Sequence, residues 1–242
     1  MINPKILFIG ATHGDEPIGV RALCALSAKV PSLEWIVGNP PAYRANTRVF
    51  EGDLNRSAPG SLESPNYASR RAAEILEKAK AYDWVIDLHG STAYCGIFII
   101  VTKVTKANLR LAARLNIPRI VYWPSISPEL SGPMSEFFPC GLEIECGPKD
   151  MPLVEEQLTK ILETFVEEKD REIDDEEVMR RLKEKQLFQV VGSSMTPRDD
   201  LEEFVEAIID GKKKFPLLVN QYADQGIACY TMEKKLVDSF WA

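Results

Sequence analysis

Histidine is scarce in this chain: 242 residues carry two, His13 and His89, so any imidazole chemistry must run through those positions. The five cysteines (Cys24, Cys95, Cys140, Cys146 and Cys229) are odd in number, widely spaced and free of any Cys-x-x-Cys pair. That pattern excludes a disulfide framework and a thiolate metal site, and it suits reduced thiols in a reducing compartment. Long apolar runs are missing as well. In the middle of the chain the longest, Ile97 to Val101, falls far short of the roughly 20 residues of a membrane-spanning helix. The N-terminal Met-Ile-Asn-Pro-Lys-Ile-Leu-Phe-Ile-Gly has no basic region before its short apolar run, so it reads as a first strand and not as a signal peptide. A cytoplasmic protein with no membrane partner is expected. Positive charge is also not in surplus: the net charge of -7 argues against nucleic acid, whose phosphates demand a basic face. Between Glu167 and Asp210 there are 15 acidic and 7 basic residues, which leaves the remainder at a net charge of +1, neutral enough to host an anionic ligand.

What is present is an ordinary globular composition, 45% hydrophobic and 27% charged. Ile6-Leu-Phe-Ile is a short β run closed by Gly10, and Val20, Leu23, Cys24 and Leu26 follow at helical spacing behind Pro17, which suits a first helical turn. Strands are predicted at 33–37, 84–88, 96–101, 119–122 and 141–146, and helices at 68–79, 107–115 and 154–165, with the stretch from Gly38 to Pro65 read as loop. Alternating strands and helices with β-branched strands predict an α/β fold: a mainly parallel or mixed sheet flanked by helices, with its ligand at the carboxyl ends of the strands. After the acidic stretch the alternation fades. Residues 187–191, 217–220 and 226–230 look like short strands, while Leu201, Phe204, Val205, Ile208 and Ile209 have helical spacing. A boundary near Lys169 divides the chain into a main domain, 1–168, and a small, partly β C-terminal domain, 169–242.

His13 follows the first strand and His89 ends the strand that begins at Trp84, so both belong at the same sheet edge although 76 residues apart. Glu16 makes His-x-x-Glu with His13. Two imidazoles and a carboxylate form the His₂Glu set of catalytic zinc sites, which leaves one position for water. Asp15 is a competing carboxylate in the same loop, and Asp87 shares a strand face with His89, where it suits the far ring nitrogen. The 38–56 stretch holds three arginines, Arg44, Arg48 and Arg56, natural partners for a carboxylate. Glu143 and Glu145 share a face at a strand end, where a carboxylate beside an activated water suits general-base hydrolysis.

These segments occur together and in order: Gly10-Ala-Thr-His-Gly-Asp-Glu, Asn39-Pro-Pro-Ala, Thr47-Arg-Val-Phe-Glu-Gly-Asp-Leu-Asn-Arg, Asp87-Leu-His-Gly-Ser and Ile144-Glu-Cys-Gly-Pro. In this the chain resembles the aspartoacylase/succinylglutamate desuccinylase family, over roughly residues 8 to 150. The resemblance implies a zinc carboxypeptidase-like fold with a small β-rich C-terminal domain. It implies that His13, Glu16 and His89 bind one Zn²⁺ and that Glu145 is the general base. It gives Arg48 the role of polarising the scissile carbonyl, Asn55 and Arg56 that of clamping the substrate's α-carboxylate, and Tyr230 that of reaching the substrate from the C-terminal domain. The implied partner is a small N-acyl amino acid, hydrolysed at its amide bond; a homo-oligomer stays open. Family members specific for N-acetylaspartate have an additional arginine ahead of the Ile-Glu-x-Gly-Pro motif. Ser131 to Cys140 has none, and Phe137 and Phe138 are apolar, so a less acidic or more hydrophobic substrate is an equal alternative. Two other readings share these residues. One is a metallocarboxypeptidase acting on short peptides, and the other a metal-free protein that holds a carboxylate with Arg48, Asn55 and Arg56.

Overall fold

The computed structural model of the chain describes residues 3–124 and 133–241. Its core is a mixed sheet flanked by helices. Chain order runs β1 (Ile6–Gly10), α1 (Ile18–Lys29), β2 (Trp35–Val37), α2 (Pro40–Ala45), α3 (Tyr67–Ala79), β3 (Trp84–Gly90), β4 (Gly96–Val101), α4 (Lys106–Arg114), β5 (Arg119–Tyr122), β6 (Gly141–Gly147) and α5 (Pro152–Glu168). Then follow α6 (Asp175–Lys183), β7 (Gln186–Ser194), β8 (Ala207–Ile209), β9 (Lys212–Leu217) and β10 (Cys229–Lys235). The strands lie in the order β2-β1-β3-β6-β4-β5-β7-β10-β9-β8. β2, β1, β3 and β6 run parallel, β4 joins β6 antiparallel, and β7 pairs parallel with β5. Residues 169–242 thus add their strands to the same sheet as residues 1–168. No helix among the described residues is long and apolar enough to cross a membrane.

Strand alternation sorts the two faces. Ile6 and Phe8, Ile86 and Leu88, and Leu142 and Ile144 point to one face, where they pack with α1, α4 and α5 in a single apolar cluster. Phe165 of α5 sets its ring edge-on to Phe8 there, 6.3 Å between centroids. The other face begins apolar under α3, with Leu7, Ile9 and Val85 against Ala72 and Ile75. Toward the carboxyl ends the same face turns polar: Asp87, His89, Glu143 and Glu145 replace the expected aliphatics. Three of these are almost fully buried, Asp87, His89 and Glu143. Polar groups in such places are costly unless partnered, so the break in alternation marks a site.

The structure departs from the sequence expectations where local chemistry overrides periodicity. The 38–65 stretch is not all loop: it contains α2 and a 3₁₀ turn at Leu54–Arg56. Asn39 starts α2 by accepting a hydrogen bond from the Ala42 N–H, with prolines in the first turn. The acidic stretch holds α6, whose first turn carries Asp175, Glu176 and Glu177 and whose last carries Arg180, Arg181 and Lys183, each sign matching its end of the helix dipole. Residues 201–209 form no helix. Ala207–Ile209 is a strand that pairs antiparallel with β9 around Asp210 and Gly211, both with positive φ, so the turn wins over the apolar spacing. The expected strand at 217–220 ends at Leu217, because Leu218 and Asn220 adopt left-handed backbone, and the one at 226–230 starts only at Cys229.

One close approach ties this frame to the site loop. A Cβ on Gly14 would lie 2.1 Å from the Ala42 carbonyl carbon of α2, and the Gly14 N–H donates to the Arg48 carbonyl at 3.1 Å. Gly14→Ala must therefore push backbone against backbone. We expect a cost of about 3 kcal/mol, read as a fall of roughly 6–12 °C in thermal midpoint for a chain of this size. An unchanged midpoint would show that α2 yields freely.

Candidate active site

His13 lies in the loop after β1, Glu16 opens the turn before α1, and His89 and Glu145 face each other across neighbouring strands in the β3–β6 register. Because β1, β3 and β6 are parallel, their carboxyl ends share one edge, which brings the three stretches together. The Glu16 carboxylate sits between the two rings: Oε1 is 2.9 Å from His13 Nδ1, and Oε2 is 3.1 Å from His89 Nδ1. Oε2 also accepts the Gly90 N–H at 3.1 Å. One ligand atom from each of the three residues can lie within 4.8 Å of the others, close enough for one ion. Each ring has an aspartate at its far nitrogen: His13 Nε2 is 3.1 Å from Asp53 Oδ1, and His89 Nε2 is 3.1 Å from Asp87 Oδ2. The second contact has ion-pair distance without hydrogen-bond alignment, since the Asp87 oxygens are turned to the Thr12 hydroxyl at 2.8 and 2.9 Å. Carboxylates behind the imidazoles fix ring orientation and raise donor strength.

The charges respond to this crowding. Burial alone would lower both histidines, but the carboxylates outweigh it, Glu16 chiefly for His13 and Asp87 with Glu143 for His89, so both imidazoles titrate above their ordinary value. Burial works against ionisation of Glu16, yet His13 and His89 hold its carboxyl well below the usual range. Burial likewise opposes ionisation of Asp53, and contact with His13 brings it down to about 2. Glu145 goes the other way: burial, then the negative charge of Glu16, pushes it up to about 8. Two carboxyls side by side with opposite shifts are what separate ligand and base roles require.

The remaining sequence candidates gather around a cleft of about 570 Å³, counting its open mouth. Arg48 donates to Glu16 Oε1 at 2.8 Å and lies over the Tyr222 ring, 5.9 Å from its centroid. Arg56 lines the cleft and donates to the Asn55 carbonyl at 2.8 Å. The Asn55 side chain accepts the Met134 N–H at 2.9 Å and reaches Glu143 Oε1 at 3.5 Å, with Ser135 donating to the same oxygen at 2.9 Å. Tyr230 stands one ring behind the wall, 5.9 Å from Tyr222 and within electrostatic reach of Arg56 and Arg48. Asp15 is turned away to Lys149 Nζ, 3.1 Å. Of the Ser131–Cys140 stretch, Ser131 and Gly132 lie outside the described residues; Phe138 is buried and Phe137 exposed.

Residues 2–169 match the model of the succinylglutamate desuccinylase/aspartoacylase catalytic domain. The chain belongs to that family. Among its relatives, a probable aspartoacylase of Prochlorococcus marinus subsp. pastoris (strain CCMP1986 / NIES-2087 / MED4) is 30% identical over 162 residues, covering 61% of this chain and 54% of the relative. Another, of Parasynechococcus marenigrum (strain WH8102), is 32% identical over 167 residues, covering 61% and 54%. The chain spans about half the length of the curated relatives it matches. In fold it is similar to murine aminoacylase 3 (TM-score 0.69, 19% identity, 97% of each chain). It is also similar to the succinylglutamate desuccinylase from Chromobacterium violaceum (TM-score 0.65, 16% identity, 96% of this chain and 84% of that one).

Family motifs carry little beyond their named positions, and sequence reading missed Asp53, Trp123, Gln221 and Tyr222. Asp53 stands inside the Asp-Leu-Asn-Arg motif, so its neighbours were the signal; Trp123 extends the end of β5, and Gln221 and Tyr222 follow a turn with no pattern of its own. Asp53→Asn keeps the shape and removes the charge behind His13. For a cation held by His13, Glu16 and His89, affinity should drop about 10–100-fold, measured by competition with a chromogenic chelator. Unchanged affinity would make Asp53 a loop residue only.

Proposed function

We propose that the protein is a zinc-dependent amidohydrolase that cleaves the amide bond of a small N-acyl amino acid. The observation that carries this reading is the convergence of both Nδ1 atoms on Glu16, with Glu145 in register beside His89. Two imidazoles and a carboxylate, each braced from behind, fit zinc by donor chemistry, and only three protein donors leave a position open. A zinc ion held by His13, Glu16 and His89 would lower the pKa of a water to about 7 and polarise the scissile carbonyl.

The chain's own residues supply the rest. Glu145 takes the proton from the attacking water and hands it to the departing nitrogen. Its pKa of about 8 belongs to the protein without the cation; a divalent charge nearby draws it down into the ionised, proton-accepting range. Arg48 neutralises Glu16 as it stands, and with that carboxylate committed to a cation its guanidinium is released to the carbonyl oxygen, where one donor is worth roughly 3–4 kcal/mol. Asn55 and Arg56 hold the α-carboxylate and so fix the amide relative to Glu145. Tyr230 braces this pocket through Tyr222. Residues 169–242 form a small module that closes one side of the cleft with Leu218, Gln221 and Tyr222. Gln221 is pinned there, accepting from the Thr92 N–H at 2.8 Å. That closed side favours a small substrate over a peptide and so speaks against a carboxypeptidase. Five free thiols suit a cytoplasmic location.

A panel of N-acyl amino acids assayed with and without chelator tests the reading. Turnover that stops on chelation and returns with Zn²⁺ is expected; chelator-insensitive hydrolysis, or cleavage of none of the panel, would overturn it.

A further inference from the structure

The charges lining the cleft are unevenly distributed, and the imbalance bears on the substrate. Among the described residues three carboxylates reach it, Glu16, Glu143 and Glu145, against two guanidiniums, Arg48 and Arg56; no lysine lines it, and the imidazoles of His13 and His89 are both turned to Glu16. Arg48 pairs with Glu16 and, in the hydrolase reading, turns to the scissile carbonyl once Glu16 holds a cation, so in neither state does it serve a carboxylate of the substrate. Arg56 makes no ion pair among the described residues; its bond is to a carbonyl. Residues 125–132 are close in sequence to this wall and contain no Lys, Arg or His, so they bring no further cation. One guanidinium therefore remains for substrate carboxylates. A second carboxylate would have to enter a partly desolvated space beside Glu143 and Glu145 without a partner, which is strongly unfavourable.

Another part of the lining is apolar and runs beside these charges, Ile100 in register with Glu143 and Tyr222 under Arg48. Ile100, Trp123, Pro133, Leu218 and Tyr222 form it. Its aromatic part is a packed stack: Tyr230 lies 4.5 Å from Trp123 and 5.9 Å from Tyr222, edge-on to both. Both flanking rings are thus held in place by the one between them, which makes a rigid surface that costs little further ordering when a ligand binds. Two of the polar groups interspersed here are occupied. The Thr102 hydroxyl pairs with Ser135, and the Gln221 side-chain oxygen accepts from the Thr92 hydroxyl at 2.5 Å.

Resting on the hydrolase reading above, we infer that the substrate carries a single carboxylate and that its amino-acid side chain is apolar, a large aliphatic or aromatic group seated against Trp123 and Tyr222. Arg56 and Asn55 then meet the α-carboxylate, and the side chain turns away from Glu143 to the stacked rings. This sets the chain apart from what its relatives' aspartoacylase names say of them.

The test pairs turnover with binding. For the zinc-loaded wild type, kcat/KM on N-acetyl-L-phenylalanine should exceed that on N-acetyl-L-aspartate by at least about tenfold, the scale of a well-filled apolar pocket. Calorimetry on the zinc-loaded Glu145→Gln variant should show the same order of affinity for the two compounds. Trp123→Arg exchanges a ring for a third guanidinium, one free for a second carboxylate, so the phenylalanine-to-aspartate ratio should fall by about tenfold or more; a merely structural tryptophan would lower both activities and leave the ratio alone. Equal or inverted preference in the wild type, by turnover or by binding, overturns the inference, as does faster cleavage of N-hexanoylglycine than of N-acetyl-L-phenylalanine, which would give the wall to the acyl group. Tighter binding of the phenylalanine compound with no turnover of either would sink the hydrolase reading alone.

Discussion

Glu145→Gln should lose turnover by at least about 10³-fold, the upper part of what one positioned base contributes, and keep its full metal content. The amide has the size of the carboxyl and sits in the same register opposite His89, so ring positions and the Glu16 bridge have no reason to change. What disappears is the site that accepts the proton from water. The variant should also differ in stability in a way that a remote acid would not. The folded carboxyl titrates at about 8 against an ordinary 4.5, so the unfolded chain releases that proton first. Its contribution to metal-free stability therefore declines as pH rises from 4.5 to about 8. In the glutamine variant that decline is absent, and its thermal midpoint at neutral pH should equal or exceed that of the metal-free wild type. Activity and metal content together decide the role. Near-normal hydrolysis removes Glu145 from the mechanism, and loss of metal along with activity would make it a ligand.

Much of this arrangement is legible in the chain because it is local. Each strand that carries a site residue announces itself by a run of β-branched or aliphatic residues, and each site residue falls at or just beyond the carboxyl end of its run: His13 after Ile6–Gly10, His89 at the end of Trp84–Gly90, Glu145 near the end of Gly141–Gly147. Parallel pairing then does the long-range work. What periodicity cannot convey is a residue whose position depends on a turn. α2 exists through a cap and two prolines; its one buried residue gives no stripe to detect. Tyr222 and Gln221 arrive at the cleft because Leu218 and Asn220 take left-handed backbone, a conformation that asparagine tolerates but that leucine gives no sign of. The apolar spacing of 201–209 misleads for the converse reason: Phe204 and Ile209 are buried, but from opposite arms of a turning chain and not along one helix. Asp53 shows a third limit, since its partner, His13, is 40 residues away and only the fold identifies it.

His89→Ala should bind no zinc and show no activity above background, with at least a 10³-fold loss of metal affinity on removing one of three protein donors. That estimate is about ten times the largest loss expected for a carboxylate behind a ligand, because a bond to the ion itself is lost. The proton balance offers an independent check on the same residue. In the metal-free protein both imidazoles sit above their ordinary value, so their pairs with Glu16, Asp53 and Asp87 stabilise the fold fully below about pH 6.5. That stabilisation is lost as pH climbs through the raised values. With metal bound the dependence reverses, because each ring must be deprotonated to donate to the cation and acid competes with it. Metal-free wild type should therefore lose thermal stability as pH rises above 6.5, and the metal-loaded protein should lose it as pH falls toward 5. In His89→Ala the first slope is reduced to the shares of His13 and Glu145 and the second disappears. A variant that keeps stoichiometric zinc, or that still shows acid-dependent metal release, would move the third protein ligand elsewhere and leave His89 as one more member of the Asp87–Glu143 cluster.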